Sequence, residues 1–246
     1  MDLGLTGRRA AVAAGSKGLG RACAAALAAE GARVAICGRD AATVEATATE
    51  LGLLPIVADL SSPDGAAGFI RDARDSLGGI DVLVPNAGGP PPGGFAQVTD
   101  PEAYARAFAL NALSTITMCL EAVPAMQAQR WGRVVAITSI SVRQPIPSLI
   151  LSNTARAGVT GFLKTLAREI AADGVTVNSL QPGIHATDRM RELAGGLDGA
   201  AAGIPAGVVG NPADFGAICA FVCSEQARFL TGAAIPVDGG ADGGLQ

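Results

Sequence analysis

Short apolar segments alternate with longer, alanine-rich segments along the whole chain. The short segments are almost continuously apolar, which is the pattern expected of β-strands that are covered on both faces of a sheet. The longer segments have the length of helices. Seven strands are predicted at Arg9–Ala14, Arg33–Cys37, Leu54–Ala58, Asp81–Val84, Gly132–Thr138, Val175–Leu180 and Ala233–Val237. Six helices are predicted at Leu19–Glu30, Ala41–Leu51, Pro63–Leu77, Glu102–Gln129, Leu149–Ala172 and Ala213–Ser224.

The order of these elements predicts the fold class. Strands that alternate with helices are joined by right-handed crossovers and form a parallel sheet. We therefore predict an α/β protein with one Rossmann-type, doubly wound domain over residues 1–246. Asp40 and Asp100 are predicted helix caps, and Gly52 and Gly78 are predicted helix ends. Residues 186–212 lack a clear period, so this segment is predicted to be a flexible loop over a binding site.

Composition and charge narrow the class of protein. The chain is 49% hydrophobic and 16% charged, with a formal net charge of −4 and no run of Lys or Arg. Nucleic acid and anionic membranes are therefore not expected partners. The first residues lack the basic and apolar regions of a signal peptide, and no continuous apolar run reaches the roughly 20 residues of a membrane span. We expect a cytoplasmic protein.

The five cysteines are scattered through apolar segments, and their number is odd. Cys219 and Cys223 are four residues apart on a predicted helix, a spacing that would let both bind a metal ion. The chain has one histidine and no second cysteine pair, so we interpret the cysteines as buried thiols and predict no metal site.

A glycine-rich turn follows the first predicted strand and opens the first predicted helix. It reads Gly15-Ser16-Lys17-Gly18-Leu19-Gly20. Gly15 is expected to allow the tight turn, Gly18 to let the backbone approach a pyrophosphate, and Gly20 to let helix pack on strand. The free N–H groups of the helix N-terminus favour an anion. The turn predicts that the chain binds a dinucleotide.

The glycine spacing differs from the general G-x-G-x-x-G pattern and resembles that of the short-chain dehydrogenase/reductase family. Further similarities follow in the family's order. The resemblance implies that Asp59-Leu60 contacts the adenine, that Asn86-Ala87-Gly88 stabilises the sheet beside the cofactor, and that Pro182-Gly183 with His185 and Thr187 forms the nicotinamide-side loop. One departure is Pro85, which stands where a second Asn is common in the family.

The end of the second strand bears on the choice of nicotinamide cofactor. Sites for NAD usually place a carboxylate there to bind the ribose 2′-hydroxyl. This strand ends Ile36-Cys37-Gly38-Arg39, and Lys17 adds a second cation from the glycine turn. Two cations suit a 2′-phosphate, so NADP(H) is favoured over NAD(H). Alternatively, both cations are solvated and Asp40 pairs with Arg39.

The reacting residues are also implied by the resemblance. Ser139 is similar to the family's catalytic Ser, and Asn111 to its proton-relay Asn. In many members Tyr follows that Ser by thirteen residues and Lys follows the Tyr by four, which leads to Ser152 and Arg156 here. Arg156 can bind ribose and stabilise an oxyanion but cannot be a base. Ser152 can hydrogen-bond a carbonyl but is a weaker acid than a phenol.

Other proton donors are scarce. The single tyrosine, Tyr104, matches a position where the family often has a packed aromatic residue, so we interpret it as part of the core. The single histidine, His185, titrates near neutral pH and could protonate a substrate, although a lone loop histidine is more often structural.

Four interpretations remain open. The first is a carbonyl reductase, acting for example on a 3-oxoacyl compound or another apolar ketone, in which Ser139 and Ser152 orient the carbonyl and the proton arrives through Asn111 and water or from His185. The second is an imine or enone reductase that needs no tyrosine acid. The third is non-redox chemistry, as in the family's halohydrin dehalogenases, which also carry Arg at this position but keep the Tyr and typically lose the glycine motif. The fourth is a catalytically silent NADP-binding protein.

Two proline-rich segments suggest the character of the substrate. Residues Gly89–Gly94 include three consecutive prolines, and Gln144–Pro147 follows Ser139. These stiff segments are either connectors or walls of a site for an apolar small molecule. The resemblance also implies a homo-oligomer, a tetramer or a dimer, with a subunit contact near Val237–Gly240.

Overall fold

A single parallel sheet of seven strands organises the protein. The computed structural model describes residues 1–193, 197 and 199–244. The sheet order is β3-β2-β1-β4-β5-β6-β7, and every neighbouring pair is parallel. The strands are β1 Arg9–Val12, β2 Arg33–Gly38, β3 Leu54–Val57, β4 Val82–Val84, β5 Gly132–Ile137, β6 Val175–Pro182 and β7 Ala234–Val237. The predicted α/β class, single domain and parallel sheet are confirmed.

Helices cover both faces of the sheet. They are α1 Gly18–Ala29, α2 Ala41–Leu51, α3 Pro63–Leu77, α4 Pro101–Phe108, α5 Ser114–Ala128, α6 Ile150–Ile170, α7 Asp188–Leu193 and α8 Pro212–Val222. Asp40 Oδ1 accepts from the backbone N–H of Thr43 at 2.8 Å, and Asp100 Oδ1 accepts from that of Glu102 at 3.0 Å. Gly52 ends α2 and Gly78 ends α3, both in the left-handed conformation. These predicted caps and ends are therefore confirmed.

The core consists of two main apolar clusters, one on each face of the sheet. Helices α3, α5 and α6 cover the first cluster, and α1, α2 and α8 cover the second. The strands lie between them, and β4 and β5 are buried along their whole length. Burial on both faces explains why the strands have almost continuous apolar sequences.

The longest predicted helix is interrupted by one wider turn. Between α4 and α5, residues Ala109–Leu113 form a π-helical turn that contains Asn111. The continuous segment Pro101–Ala128 has 28 residues and is long and apolar enough to cross a membrane by length and composition. Half of its most apolar window is buried inside the fold, as in the core helix of a globular domain.

The segment predicted as a flexible loop, residues 186–212, contains secondary structure that the sequence did not predict. Helix α7 begins after Thr187, whose Oγ1 accepts from the backbone N–H of Met190 at 3.3 Å. A short 3₁₀ helix covers Ala200–Gly203, and a β-bridge joins His185 to Gly210. Within this predicted loop, residues 194–196 and 198 lie outside the described part.

All five cysteines are buried free thiols. Cys219 and Cys223 lie in the cluster beneath α8 and α1, in agreement with the interpretation of buried thiols. Within the described residues, no group of three or more His, Cys, Asp or Glu side chains is arranged to hold a metal ion.

Candidate active site

The candidate site lies at the carboxyl ends of the central strands. Strand β1 pairs with β2 on one side and with β4 on the other, so the chain reverses its direction of winding at this point. In open parallel sheets, the crevice at such a reversal is where ligands bind. The predicted site residues in the loops after β1 to β6 therefore lie at this edge, and Asn111, Ser152 and Arg156 join them from helical segments.

The glycine-rich turn differs in detail from its prediction. The left-handed residues are Ala14, with φ 45°, and Gly18, with φ 57°. Gly15 has no positive φ; a Cβ there would lie 2.7 Å from Cγ2 of Ile36. Gly15 is thus required for close packing on β2, while Ala14 makes the sharp turn after β1. Its left-handed backbone carries a steric cost for a residue with a Cβ atom.

Gly20 packs α1 against the sheet, as predicted. A Cβ on Gly20 would lie 2.4 Å from the carbonyl oxygen of Ala14 and 2.7 Å from Nδ2 of Asn86. That Nδ2 donates to the Ala14 carbonyl oxygen at 3.4 Å, which ties the turn after β1 to the loop after β4. No side chain caps the N-terminus of α1, and its first turn carries no acidic residue. Its free N–H groups suit a phosphate.

Two cations flank this turn. The ion pairs within the described residues include neither Lys17 nor Arg39. The pKa of Asp40 is lowered mainly by hydrogen bonds from Thr43 and to a smaller extent by the charge of Lys17. The pKa of Asp59 is lowered mainly by a hydrogen bond from the backbone of Ser61 and to a smaller extent by the charge of Arg39. The alternative pair of Asp40 with Arg39 is not among the ion pairs of the described residues, and Asp40 caps α2.

Of the predicted adenine contacts, only Asp59 exposes its side chain. Leu60 is buried in the apolar cluster beneath α3. Its side chain is therefore committed to the core, and only its backbone can face a nucleotide.

The loop after β4 connects the other site residues. Its backbone carbonyl oxygens accept hydrogen bonds from three different elements, one after another along the loop. Ala87 accepts from Arg156 Nη2 at 3.5 Å, Gly88 from Asn111 Nδ2 at 2.9 Å, and Pro90 from Arg189 Nη2 at 3.1 Å. The loop therefore runs from the glycine turn, at Asn86, to the proline-rich segment.

Arg156 is the centre of this arrangement. Its Nη1 donates to the carbonyl oxygens of Ile137 and Thr138, each at 3.0 Å, and its Nε donates to Ser152 Oγ at 3.2 Å. The pKa of Arg156 is lowered to about 10, mainly by burial and to a smaller extent by the charge of Arg189. Arg156 thus stays charged at neutral pH and joins α6 to the end of β5 and to the loop after β4.

Ser139 and Ser152 approach the site from two elements. Ser139 follows Thr138, whose carbonyl oxygen accepts from Arg156, and Ser139 Oγ accepts from the backbone N–H of Ser141 at 3.1 Å. Ser152 lies on the first turn of α6 with only 9% of its surface exposed. Through Arg156, the fold links Ser152 to the residue that precedes Ser139.

Asn111 lies in the π-helical turn and is 4% exposed. While Nδ2 donates to Gly88, the Oδ1 atom is buried and has no hydrogen-bond partner. A buried acceptor without a partner is costly, so this atom suits a bound water or a ligand hydroxyl. Wider π turns of this kind frequently occur at functional sites.

The loop after β6 brings Thr187 to the site and turns His185 away from it. A Cβ on Gly18 would lie 3.6 Å from Cγ2 of Thr187, so Thr187 faces the glycine turn. A Cβ on Gly183 would lie 2.8 Å from the Cα of Asp238, which places the Pro182-Gly183 end of β6 against the chain after β7.

The ring of His185 packs edge-to-face on Phe215, with centroids 5.1 Å apart, and touches Gly210. His185 Nδ1 lies 3.2 Å from the Gly183 carbonyl oxygen. Burial lowers the pKa of His185, so the ring is neutral at pH 7. Its side chain serves the packing of this loop.

Tyr104 is also part of the core, as predicted. It packs in a small apolar cluster with Leu151 and Ala155, and its hydroxyl donates to the Val98 carbonyl oxygen at 3.4 Å. A neighbouring, mainly apolar cavity of about 420 Å³ is lined by Pro90–Pro92, Leu110 and Leu151 among others. The proline-rich segment is thus a wall of this cavity.

Sequence reasoning missed Arg189. This residue lies on α7, and its guanidinium packs against the backbone of Gly89. Only its position two residues after Thr187 signalled a place near the site, and the mostly charged segment Asp188–Arg191 resembles an ordinary solvated turn.

Comparisons with known proteins agree with the fold. The profile of the family described as Enoyl-(Acyl carrier protein) reductase matches residues 13–242. The chain is 32% identical to the 3-oxoacyl-(acyl-carrier-protein) reductase MabA of Mycobacterium tuberculosis over 95% of this chain and 92% of that one. It is 31% identical to the corresponding reductase FabG of Escherichia coli over 95% of this chain and 97% of that one.

Solved structures agree as well. L-sorbose reductase from Gluconobacter frateurii, solved with NADPH and L-sorbose, has a TM-score of 0.91 at 27% identity and covers 100% of both chains. YwfH, an NADPH-dependent reductase involved in bacilysin biosynthesis, has a TM-score of 0.91 at 26% identity over 97% of this chain and 99% of that chain. The chain therefore belongs to the short-chain dehydrogenase/reductase family of oxidoreductases.

Proposed function

We propose that the protein is an NADP(H)-dependent reductase of a small carbonyl compound, with Ser152 and Arg156 in place of the family's Tyr and Lys. The observation that carries this proposal is the set of contacts made by Arg156. One guanidinium joins Ser152, the carboxyl end of β5 before Ser139, and the loop after β4, which are the segments that carry the matches to the family's motifs.

The residues of the glycine turn fit a dinucleotide phosphate. The N-terminus of α1 is uncapped, and Gly18 presents its backbone without a side chain on the side that faces Thr187. Lys17 and Arg39 are outside the ion pairs of the described residues and suit a 2′-phosphate. Two solved relatives are themselves described with NADPH. When bound, the nicotinamide supplies the hydride.

We also assign cofactor contacts to the loops that follow β3, β4 and β6. Asp59 and the backbone of Leu60 lie on the adenine side, and Asn86, Ala87 and Gly88 line the middle. The backbones of Pro182, Gly183 and His185 and the side chain of Thr187 hold the nicotinamide side.

Each polar residue has a role that its chemistry allows. The hydroxyls of Ser139 and Ser152 donate to the substrate carbonyl and orient it. Arg156 holds ribose hydroxyls and stabilises the negative charge that develops on the carbonyl oxygen. The buried Oδ1 of Asn111 accepts from a water that carries the proton towards this oxygen.

A second candidate is reduction of an imine or an enone. The single tyrosine favours it, because the hydroxyl of Tyr104 is engaged with Val98 outside the site. An imine arrives already protonated, and an enone is protonated on carbon, so neither substrate requires a phenol acid at the carbonyl.

The experiment is to measure binding of NADPH and NADH and then consumption of NADPH with ketones, 3-oxoacyl thioesters, quinones, imines and enones. We expect tight NADPH binding and turnover of ketones or thioesters. Turnover of imines or enones alone would support the second candidate. Binding without any turnover would indicate a silent NADP-binding protein, and no binding of either nucleotide would contradict the proposal.

A matched pair of serine variants tests the site. Ser139→Ala should lower kcat by about tenfold or more through the lost hydrogen bond to the carbonyl. Ser141→Ala, two residues away, removes a buried hydroxyl without a partner and should leave kcat unchanged. Equal effects of the two variants on kcat would contradict the role of Ser139.

The setting in the cell and the assembly state are part of the same proposal. We propose a cytoplasmic homo-oligomer, a tetramer or a dimer, that acts on small molecules. In support, Phe108, Leu113 and Leu120 are exposed apolar side chains on one long helix segment. Sedimentation equilibrium at several concentrations tests this assembly, and a strictly monomeric protein would contradict it.

A further inference from the structure

Two guanidinium groups lie against one short loop without a carboxylate partner. Arg156 donates to Ala87 and Arg189 donates to Pro90, three residues further along. Within the part of the chain that the structure describes, the ion pairs include neither arginine. Both cations therefore face the site with neutral acceptors only.

This arrangement concentrates positive charge. The charge of Arg189 adds to burial in lowering the pKa of Arg156, which means that the two cations repel each other across the site. The nearest acid in sequence, Asp188, accepts a hydrogen bond from Arg191 Nη1 at 2.9 Å and is 81% exposed. An anion that entered between Arg156 and Arg189 would relieve this repulsion.

The position of Arg189 favours the substrate over the cofactor phosphates. The glycine turn meets the loop after β4 at Asn86, whereas Arg189 packs on Gly89 and Pro90 at the far end. Pro90 also lines the apolar cavity, together with Leu151, the residue before Ser152. Arg189 therefore lies at the end of the site where Ser152 would hold the substrate.

We propose that the substrate is an oxo carboxylate, such as a 2-oxo acid with an apolar side chain, and that Arg189 binds its carboxylate group. Within the described residues, the Arg189 side chain donates one hydrogen bond, to the Pro90 carbonyl oxygen. Most of its five N–H donors are therefore available. Guanidinium binds carboxylate with two parallel hydrogen bonds, which would also fix the orientation of the neighbouring carbonyl. The inference rests on the proposed reductase function and adds the substrate class.

The experiment compares acids with their own methyl esters. Pyruvate and phenylglyoxylate are titrated against methyl pyruvate and methyl phenylglyoxylate by calorimetry, with the protein alone and with NADP⁺ present. The esters keep the reacting carbonyl and lose the negative charge. We expect the acids to bind about tenfold or more tightly than the esters, the range for a charge-assisted hydrogen bond.

Two arginine variants on the same helix provide the contrast. Arg189→Gln should remove the preference for the acids and raise their KM in NADPH-dependent reduction, with an unchanged Kd for NADPH. Arg191→Gln, which removes an equal charge from the solvent side of α7, should retain the preference. Arg189→Lys should restore part of it, because the ammonium keeps the charge and loses the paired geometry.

Two results would overturn the inference. Either acids and esters bind alike in the unmodified protein, or Arg189→Gln retains the preference, whatever its effect on NADPH binding. The preference for acids over esters is measured by binding. The proposed function would fail in a different way, because the protein would then neither bind nor oxidise NADPH.

Discussion

Arg156 Nε donates a hydrogen bond to Ser152 Oγ at 3.2 Å, one helical turn earlier on α6. This contact occupies an acceptor site of the hydroxyl and leaves its hydrogen free to point elsewhere. A hydroxyl that accepts from a cation is also a stronger donor, because hydrogen bonds in a chain polarise one another. The pair is thus suited to hold a carbonyl oxygen, although the Ser152 hydroxyl is a weaker acid than a phenol.

The first prediction concerns this pair. Ser152→Tyr combined with Arg156→Lys should raise the rate of general carbonyl reduction, since a phenol beside an ammonium is a better proton donor than a serine hydroxyl. Steady-state kinetics with neutral ketones measure the effect. Unchanged rates despite intact NADPH binding would show that these positions do not hold the reacting carbonyl.

The second prediction concerns the charge of Arg156. Arg156→Met leaves the carbonyl oxygens of Ile137 and Thr138 without their donor, and it should lower the free energy of unfolding by about 1–3 kcal/mol. It should also weaken NADPH binding. Arg168→Met, on the exposed last turn of α6, is the control and should change neither quantity. Chemical unfolding and fluorescence titration provide the two measurements.

The third prediction concerns cofactor choice. Arg39→Asp should shift the ratio of kcat/KM for NADPH over NADH towards NADH by about tenfold or more, because an acid repels the 2′-phosphate and accepts from a 2′-hydroxyl. Arg71→Asp, an equal change of charge on α3, should leave the ratio unchanged. An equal ratio in both variants would mean that Arg39 does not contact the phosphate.

The fourth prediction compares two neighbouring alanines. Ala14 has φ 45°, so Ala14→Gly removes left-handed strain and should raise the free energy of unfolding by about 0.5–1 kcal/mol. Ala13 has no positive φ and is fully buried. Ala13→Gly should therefore lower the free energy of unfolding by about 0.5–1 kcal/mol or more. Urea unfolding measures both. Shifts of the same sign would contradict the role given to Ala14.

The fifth prediction concerns pH. Burial lowers the pKa of His185 below its ordinary value of 6.5, so the unfolded chain binds this proton more readily than the folded one. The stability contributed by the neutral ring is therefore present above about pH 6.5 and falls as the pH drops towards the folded-state pKa. Urea unfolding between pH 5 and 8 should show this slope, and His185→Gln should reduce it. An identical slope in the variant would contradict the assignment.

The order and type of most elements could be predicted from the amino-acid sequence. Continuous apolar segments predicted all seven strands, and Asp40, Asp100, Gly52 and Gly78 marked helix ends correctly. These features depend on local propensity and on burial on both faces of a parallel sheet, which leave a direct record in the sequence. Strand ends were less accurate; β1 ends at Val12, because Ala14 already turns left-handed.

The arrangement of the site depends on long-range contacts that the sequence did not predict. Local sequence carries no sign that Ala14 rather than Gly15 makes the turn, that His185 packs inward on Phe215, or that Arg189 reaches Pro90 from a helix 99 positions away. Each of these outcomes depends on which segments meet across the carboxyl edge of the sheet. Contacts between residues distant in sequence follow from packing, and the periodicity of one segment does not record its neighbours in space.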